Sequence, residues 1–296
     1  MECTVWNKVI IFLLFQVPDV ALCSEQDTGG WGLDSSLADE GSCNIDIRDA
    51  TTITHTQFLE EYAYTKPVIL RGLTDNTKFR FLCSKPSLLR EYRDKTVRLS
   101  TANTHSYRKV DVRFEEFVTS LLTPQSEDTL GSDTLYFLVI ITSLSGILCL
   151  RSTMLRLTAC HTPARRTASA LQVHTHTHTH THTHTHRKMR HTHTYSLTVC
   201  VSGPGTGVPF HWHGPGYSEV IYGRKRWLLY PPDQAPEFHP NHTTLHWISH
   251  SYPNLEKHNT PLECTIRPGE VLYFPDRWWH ATLNLDTSVF ISTFLG

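Results

Sequence analysis

Three histidines near the C-terminus carry the types and spacing of a reaction centre. His211 and His213 stand two apart, which on an extended segment turns both rings to one face. His280 lies in a second strand-like run some seventy residues on. Three imidazoles brought together are a candidate metal centre. Fe(II) sites that activate O2 hold the ion on one face with two histidines and one carboxylate, leaving the remaining positions open. In this chain the position that would carry the carboxylate is His213. An all-histidine set has no anion to offset the charge of the ion or to fix its geometry.

The elements that must position these rings read as short strands. From Tyr195 onward the chain is punctuated by Gly and Pro: 220–222 is followed by Gly223, then 227–230, then Pro231 and Pro232, and Pro268-Gly269 precedes 271–274. Further strand patterns cover 282–283 and 289–290. Many short strands joined by turns predict a β-barrel or double-sheet jelly roll, with a small ligand at its mouth. The preceding half reads as a mixed α/β scaffold. Phe58, Leu59, Tyr62 and Ala63 recur at helical spacing before Lys66-Pro67 interrupts them, and 68–70 reads as a strand. Leu88, Leu89 and Tyr92 suggest a second helix, 97–99 a strand, and Phe114, Phe117, Val118, Leu121 and Leu122 a third helix stopped by Pro124. Trp278 and Trp279 are expected in the core and pocket wall. His239, His242, His246, His250 and His258 read as structural.

Between these halves, residues 174–186 alternate strictly His-Thr, and the pattern resumes at 191–194. A translated CA dinucleotide repeat gives this pattern. The flanking 138–150 is apolar without period, and 151–171 is patternless. A polar alternation cannot bury itself, so the insertion is expected to be disordered. A histidine-rich metal tract and a membrane span are the competing readings, the span being short. The 296 residues hold 27 basic and 28 acidic side chains, a net charge of -1. That balance supplies no electrostatic footprint for nucleic acid or an anionic membrane.

The first 23 residues, with Lys8 ahead of an apolar run and small residues at 21–23, read as a signal peptide. The mature chain is then expected to be lumenal or secreted, with no stable membrane span. Asn241-His242-Thr243 is a glycosylation sequon in what reads as a surface loop, which makes Asn241 the candidate acceptor. Of eight cysteines, Cys3 and Cys23 leave with the signal, and Cys149, Cys160 and Cys200 lie in or beside the insertion. Cys43, Cys83 and Cys264 remain, allowing one disulfide whose partners the sequence leaves open. No nucleophile elbow supports a hydrolase.

The blocks HWHGPGYSEVIYGRKRWLLYPP and GEVLYFPDRWWHATLNLDTSV, with KPVILRGLTDN earlier in the chain, resemble the JmjC oxygenases, cupin-type enzymes that use 2-oxoglutarate and Fe(II). The likeness is to their subgroup of small hydroxylases and spans roughly 43–136 and 203–296. It implies an α+β, mainly β fold: a double-stranded β-helix (cupin or jelly roll) with flanking N-terminal helices. On that likeness His211 and His280 match the family's two metal-binding histidines, and His213 fills its Asp/Glu position. Lys225 matches the lysine that pairs with the distal carboxylate of 2-oxoglutarate. Val208 stands where many relatives have a cosubstrate-binding Thr, and relatives often carry Asn near Ser218; Tyr217, Tyr222 and Tyr273 are candidate substitutes for the missing hydroxyl. The implied organisation is signal peptide 1–23, flexible lead-in 24–42, the first part of the JmjC domain at 43–137, the insertion at 138–195 and the core at 196–296. The implied cofactors are Fe(II) and 2-oxoglutarate, the implied partner a protein, and the implied compartment the endoplasmic reticulum lumen, with secretion as the alternative. Two functions follow: a non-catalytic or weakly catalytic regulatory protein that binds other proteins, or a 2-oxoglutarate-dependent protein hydroxylase.

Overall fold

A computed structural model describes residues 27–34, 36–141 and 196–295. The expected signal peptide, the His-Thr alternation and most of the insertion lie outside the described residues. The first strand, β1 (Ile47–Asp49), is followed by helix α1 (His55–Glu61) and β2 (Val68–Arg71). Helix α1 starts where Thr54 and Gln57 form a reciprocal capping box, which satisfies two free amides at the first turn. Its apolar face places Phe58 against Tyr273, with Tyr62 and Ala63 beside it and fully buried. Two further helices, α2 (Thr77–Cys83) and α3 (Lys85–Tyr92), precede the hairpin β3 (Thr96–Thr101) and β4 (Lys109–Arg113). The third expected helix is realised as α4 (Phe114–Glu116), which widens into one π-helical turn at Phe117–Leu121.

The remaining strands are β5 (Leu135–Ile141), β6 (Ser196–Ser202), β7 (Gly216–Tyr222), β8 (Lys225–Tyr230), β9 (Leu262–Ile266), β10 (Glu270–Phe274), β11 (Trp279–Asn284) and β12 (Ser288–Phe294), with helix α5 (Thr244–His250) between β8 and β9. They form two sheets: a nine-stranded one ordered β1-β2-β10-β7-β12-β6-β5-β3-β4, and a three-stranded one ordered β11-β8-β9. Ile69, Val220, Leu272 and Phe274 of the large sheet pack against Trp227, Leu229 and Ile266 of the small one. This is the mainly β, two-sheet cupin architecture with N-terminal helices. Strand β8 is buried at every position, because Leu228 and Tyr230 on its outer face are covered by Phe210 and Trp247 of α5. No helix among the described residues is long and apolar enough to cross a membrane.

Two expectations are corrected by long-range contacts, and a disulfide pairing the sequence left open is decided by one. The lead-in at 24–42 is not loose over its described part. Trp31 is buried with its indole N–H donating to the Cys83 carbonyl at 3.0 Å, and Glu40 and Asp39 pair with Arg224 and Arg226. The segment lacks apolar periodicity because its contacts are made by turns and carboxylates to arginines almost two hundred residues later. Gly41, at φ +67°, has room only for hydrogen, since a Cβ would come within 2.3 Å of the Arg226 guanidinium. The insertion begins later than residue 138. Strand β5 runs to Ile141, and 137–141 pair in antiparallel register with 197–201 of β6, so residues 142–195 join two paired strands. Cys43 and Cys264 form the disulfide, tying the end of the lead-in to β9, while Cys83 and Cys200 are free and buried.

Candidate metal centre and cosubstrate pocket

The segment 206–213 lies along the edge of β11. His211 and His280 exchange backbone hydrogen bonds at 3.1 and 2.8 Å, Thr282 N–H donates to the Val208 carbonyl at 3.0 Å, and Asn284 N–H donates to the Thr206 carbonyl at 2.8 Å. Gly207 permits this approach, because a Cβ there would lie 1.7 Å from the Thr282 carbonyl oxygen. The expected strand through His211 and His213 is thus a single bridge, His211 opposite His280, with His213 beyond it. The convergence of the rings survives the change. His211 and His280 have ring centres 4.2 Å apart, His213 and His280 4.6 Å, and Trp212 between the two histidines is exposed.

The tautomers are set by backbone carbonyls. Nδ1 of His211 faces the Pro209 oxygen at 2.8 Å, Nδ1 of His213 the Gly214 oxygen at 2.8 Å, and Nδ1 of His280 the Trp278 oxygen at 2.9 Å. A carbonyl only accepts, so each Nδ1 carries hydrogen and each Nε2 presents a lone pair. The Nε2 atoms of His213 and His280 then face each other at 3.2 Å. Two lone pairs at that separation repel unless a cation lies between them. One ligand atom from each ring falls within 4.8 Å of the other two. An ion about 2.0–2.1 Å from each nitrogen suits that spacing. Burial brings the His211 pKa to about 4, lowers that of His213, and together with its histidine neighbours holds His280 well below 6.5. All three are neutral at pH 7, the state a metal needs. The donor set therefore fits a divalent transition ion, which His211, His213 and His280 would hold.

Lys225 enters the same cavity from the first position of β8. It is 2 % exposed, donates to Asn284 Oδ1 at 3.0 Å and lies 3.9 Å from the centre of the Phe290 ring. It has no acidic partner among the described residues, and burial pulls its pKa down to about 7. A buried cation without an anion is costly and fits an arriving carboxylate. The cavity it shares with the three histidines has a volume of about 280 Å³. Val208 lines it with no hydroxyl to offer; Thr282, across from it, supplies one. The tyrosines singled out from sequence lie elsewhere. Tyr217 and Tyr273 pack beneath α1, and the Tyr222 hydroxyl donates to the Arg80 carbonyl at 2.7 Å. Tyr136 of β5 lines the cavity instead, its hydroxyl 2.9 Å from Ser106 Oγ. Sequence reasoning missed it because nothing near it in the chain marks β5 as a cavity wall. Ser218 is buried with its hydroxyl 3.5 Å from that of Ser292, which lines the cavity. Trp278 is core as expected, whereas Trp279 packs with Phe238 outside the pocket.

Asn241 does not sit in a free surface loop. Its Oδ1 accepts from Ser132 N–H at 3.0 Å, its Nδ2 donates to Ser132 Oγ at 3.3 Å, and Thr243, fully buried, caps α5 by accepting from His246 N–H at 3.1 Å. Asn241 and Thr243 of the sequon are thus both engaged in the fold.

Two facing sheets with a histidine cluster and a buried lysine between them define a protein of the cupin fold. Comparison with known proteins is consistent: the model of the cupin-like domain family matches residues 55–294. The chain is 49 % identical to mouse JmjC domain-containing protein 8 over 293 residues, covering 97 % of each. It is 32 % identical over 95 residues to mouse 2-oxoglutarate and iron-dependent oxygenase JMJD4, which is 28 % of this chain and 22 % of that one. Among solved structures, the Escherichia coli ribosomal oxygenase YcfD in complex with cobalt and 2-oxoglutarate is similar at 17 % identity and a TM-score of 0.45, covering 83 % of this chain and 52 % of that one. The chain belongs to the JmjC-type branch of the cupin-like family.

Proposed function

We propose that this chain is a lumenal 2-oxoglutarate- and Fe(II)-dependent oxygenase that hydroxylates a protein side chain. The observation that carries the reading is one cavity shared by three neutral, converging imidazole nitrogens and a buried ammonium without an acidic partner among the described residues. His211, His213 and His280 would hold the ion, their orientation fixed by the three Nδ1–carbonyl contacts. Lys225 would bind the distal carboxylate of 2-oxoglutarate, with Asn284 holding its ammonium in place. Fe(II) with 2-oxoglutarate supplies the oxidising chemistry of such sites. Phe274 and Phe294 pack edge-on against His213 and keep water from that side of the ring. Because the ligand set is neutral, a bound ion would keep its full double charge, which would favour anionic ligands in the cavity. The protein substrate is taken from the family resemblance.

The lumenal compartment is supported by the N-terminal signal pattern and by the Cys43–Cys264 disulfide, since such bridges persist in oxidising compartments. Glycosylation at Asn241 would precede closure of the Ser132 contacts. Loss of mass on deglycosylation, absent in Asn241→Gln, tests it.

His213 in place of a carboxylate and Val208 in place of threonine favour a second reading, a regulatory protein of the same fold that binds other proteins without turnover. Iron content and conversion of 2-oxoglutarate to succinate decide between them, with His211→Ala as control. Stoichiometric iron and turnover abolished in the control support the oxygenase. Iron without turnover assigns the regulatory role, and no iron at micromolar metal overturns the metal centre.

A further inference from the structure

A second histidine array lies outside the cavity just described. His239, His242, His246 and His250 stack along α5 and the turn before it, with successive ring centres 4.4, 4.3 and 4.2 Å apart. His246 and His250 are one helical turn apart on α5 and share one face, and His242, in the turn before the helix, lies against His246. Thr243 fixes the junction by accepting from His246 N–H at 3.1 Å. Nδ1 of His246 faces the Glu127 carbonyl at 3.2 Å and Nδ1 of His250 the His246 carbonyl at 3.0 Å. Both rings therefore carry hydrogen on Nδ1 and present Nε2 as a lone pair. His239 is different: its Nδ1 accepts from Asn241 N–H at 3.2 Å, so its outer nitrogen bears hydrogen and cannot ligate in that state.

Paired imidazoles one turn apart on a helix are a recurrent metal-ligating arrangement. Two rings bound to one ion at about 2.0–2.1 Å have centres about 5 Å apart with both lone pairs aimed at it. His242 and His246 are tilted by 59°, whereas His246 and His250 are stacked with 20° between their planes, so those two side chains must turn to share an ion. No acidic side chain pairs with His239, His242, His246 or His250 among the described residues. His250 is exposed and His242 and His246 are half-buried, so an ion here would keep water ligands and exchange readily. Imidazole ligands select Zn²⁺ or Cu²⁺ over Ca²⁺ or Mg²⁺.

We propose that His242, His246 and His250 form a second, exchangeable transition-metal site, holding one ion through His246 and either neighbour. His246 is common to both pairs, which limits the array to one ion at a time. The site has a structural reach toward the first. His239, His242 and His246 line a cavity of about 500 Å³ together with Pro209 and Phe210, and Thr244 Oγ1 donates to the Val208 carbonyl at 3.1 Å. An ion bridging His242 to α5 would tether the turn to the helix that holds the segment leading into His211.

The test is zinc-dependent protection from carbethoxylation in the full-length chain, read peptide by peptide by mass spectrometry so that the His-Thr tract is scored separately. Zinc should slow labelling of His242, His246 and His250, and His246→Gln should remove the slowing at His242 and His250. His211→Ala should leave the slowing intact, which separates this site from the cavity. Thermal unfolding checks that each variant is folded. If His246→Gln unfolds, the double variant His242→Gln/His250→Gln replaces it and must lose the protection of His246. Equal slowing with and without these changes, or none at zinc levels that already protect the His-Thr tract, overturns the proposal.

Discussion

Replacing Lys225 with methionine should make the ligand-free protein more stable. The ammonium is 2 % exposed and burial takes its pKa from 10.5 to about 7. Each pH unit of that gap is worth about 1.36 kcal/mol, so holding the charged form in the cavity costs about 5 kcal/mol. Its hydrogen bond to Asn284 and its position over Phe290 return part of this, about 3–4 kcal/mol together. Methionine fills a similar volume without the charge, leaving a net gain of about 1–2 kcal/mol. The pH dependence gives the sharper signature. The folded pKa is below the unfolded one, so between pH 7 and 10.5 the unfolded chain binds more protons and wild-type stability climbs with pH. The variant lacks that slope. Its advantage should be complete below pH 7 and shrink toward 10.5. Urea unfolding followed by tryptophan fluorescence, with metal and dicarboxylates removed, measures both quantities. Added 2-oxoglutarate should then stabilise wild type and leave Lys225→Met unmoved. A variant less stable than wild type at every pH would show that Lys225 already has an anionic partner, and the pocket argument would fail.

Cleaving the Cys43–Cys264 disulfide by Cys43→Ser/Cys264→Ser should cost about 2–5 kcal/mol, since its partners are 221 residues apart; an unchanged urea midpoint would contradict this. Gly207→Ala should cost at least about 3 kcal/mol or prevent folding, because the new Cβ would overlap the Thr282 carbonyl; a folded variant with unaltered metal affinity would count against the edge pairing. Metal bound by the triad should be retained on acidification well past pH 6.5, because burial holds His211 near 4 and His280 well below 6.5, so protons compete poorly with the ion. Release of cobalt with a midpoint at pH 6.5 or above would refute the buried-ligand description.

The histidine triad was legible because His211-Trp212-His213 and the Arg277-Trp278-Trp279-His280 run are local patterns, and a two-residue interval keeps its meaning wherever the chain is nearly extended. Lys225 was legible through the block around it. The strap at 27–34 and 36–42 was not, since turns and carboxylates carry no periodicity and their arginine partners sit just before β8, within it and after β9. Tyr136 was hidden for the same reason: its place in the cavity depends on β5 pairing with β6 across residues 142–195. The His242-His246-His250 interval is visible in the sequence, but only the end of β8, α5 and their shared packing on Phe210 show that the rings stack.

What the sequence by itself determined were residue types and short intervals: the paired histidines, the lysine at the start of β8, the capped helix at 55–61, and turn-punctuated strands enough for a two-sheet barrel. Tertiary structure decided which of these meet. It set the His211–His280 bridge, brought three Nε2 lone pairs together through three backbone carbonyls, paired Cys43 with Cys264, and buried Lys225 without a counter-charge among the described residues. The physical reason is that tautomer, burial and charge balance depend on groups far away in the chain, whose approach is specified by sheet register and not by local pattern.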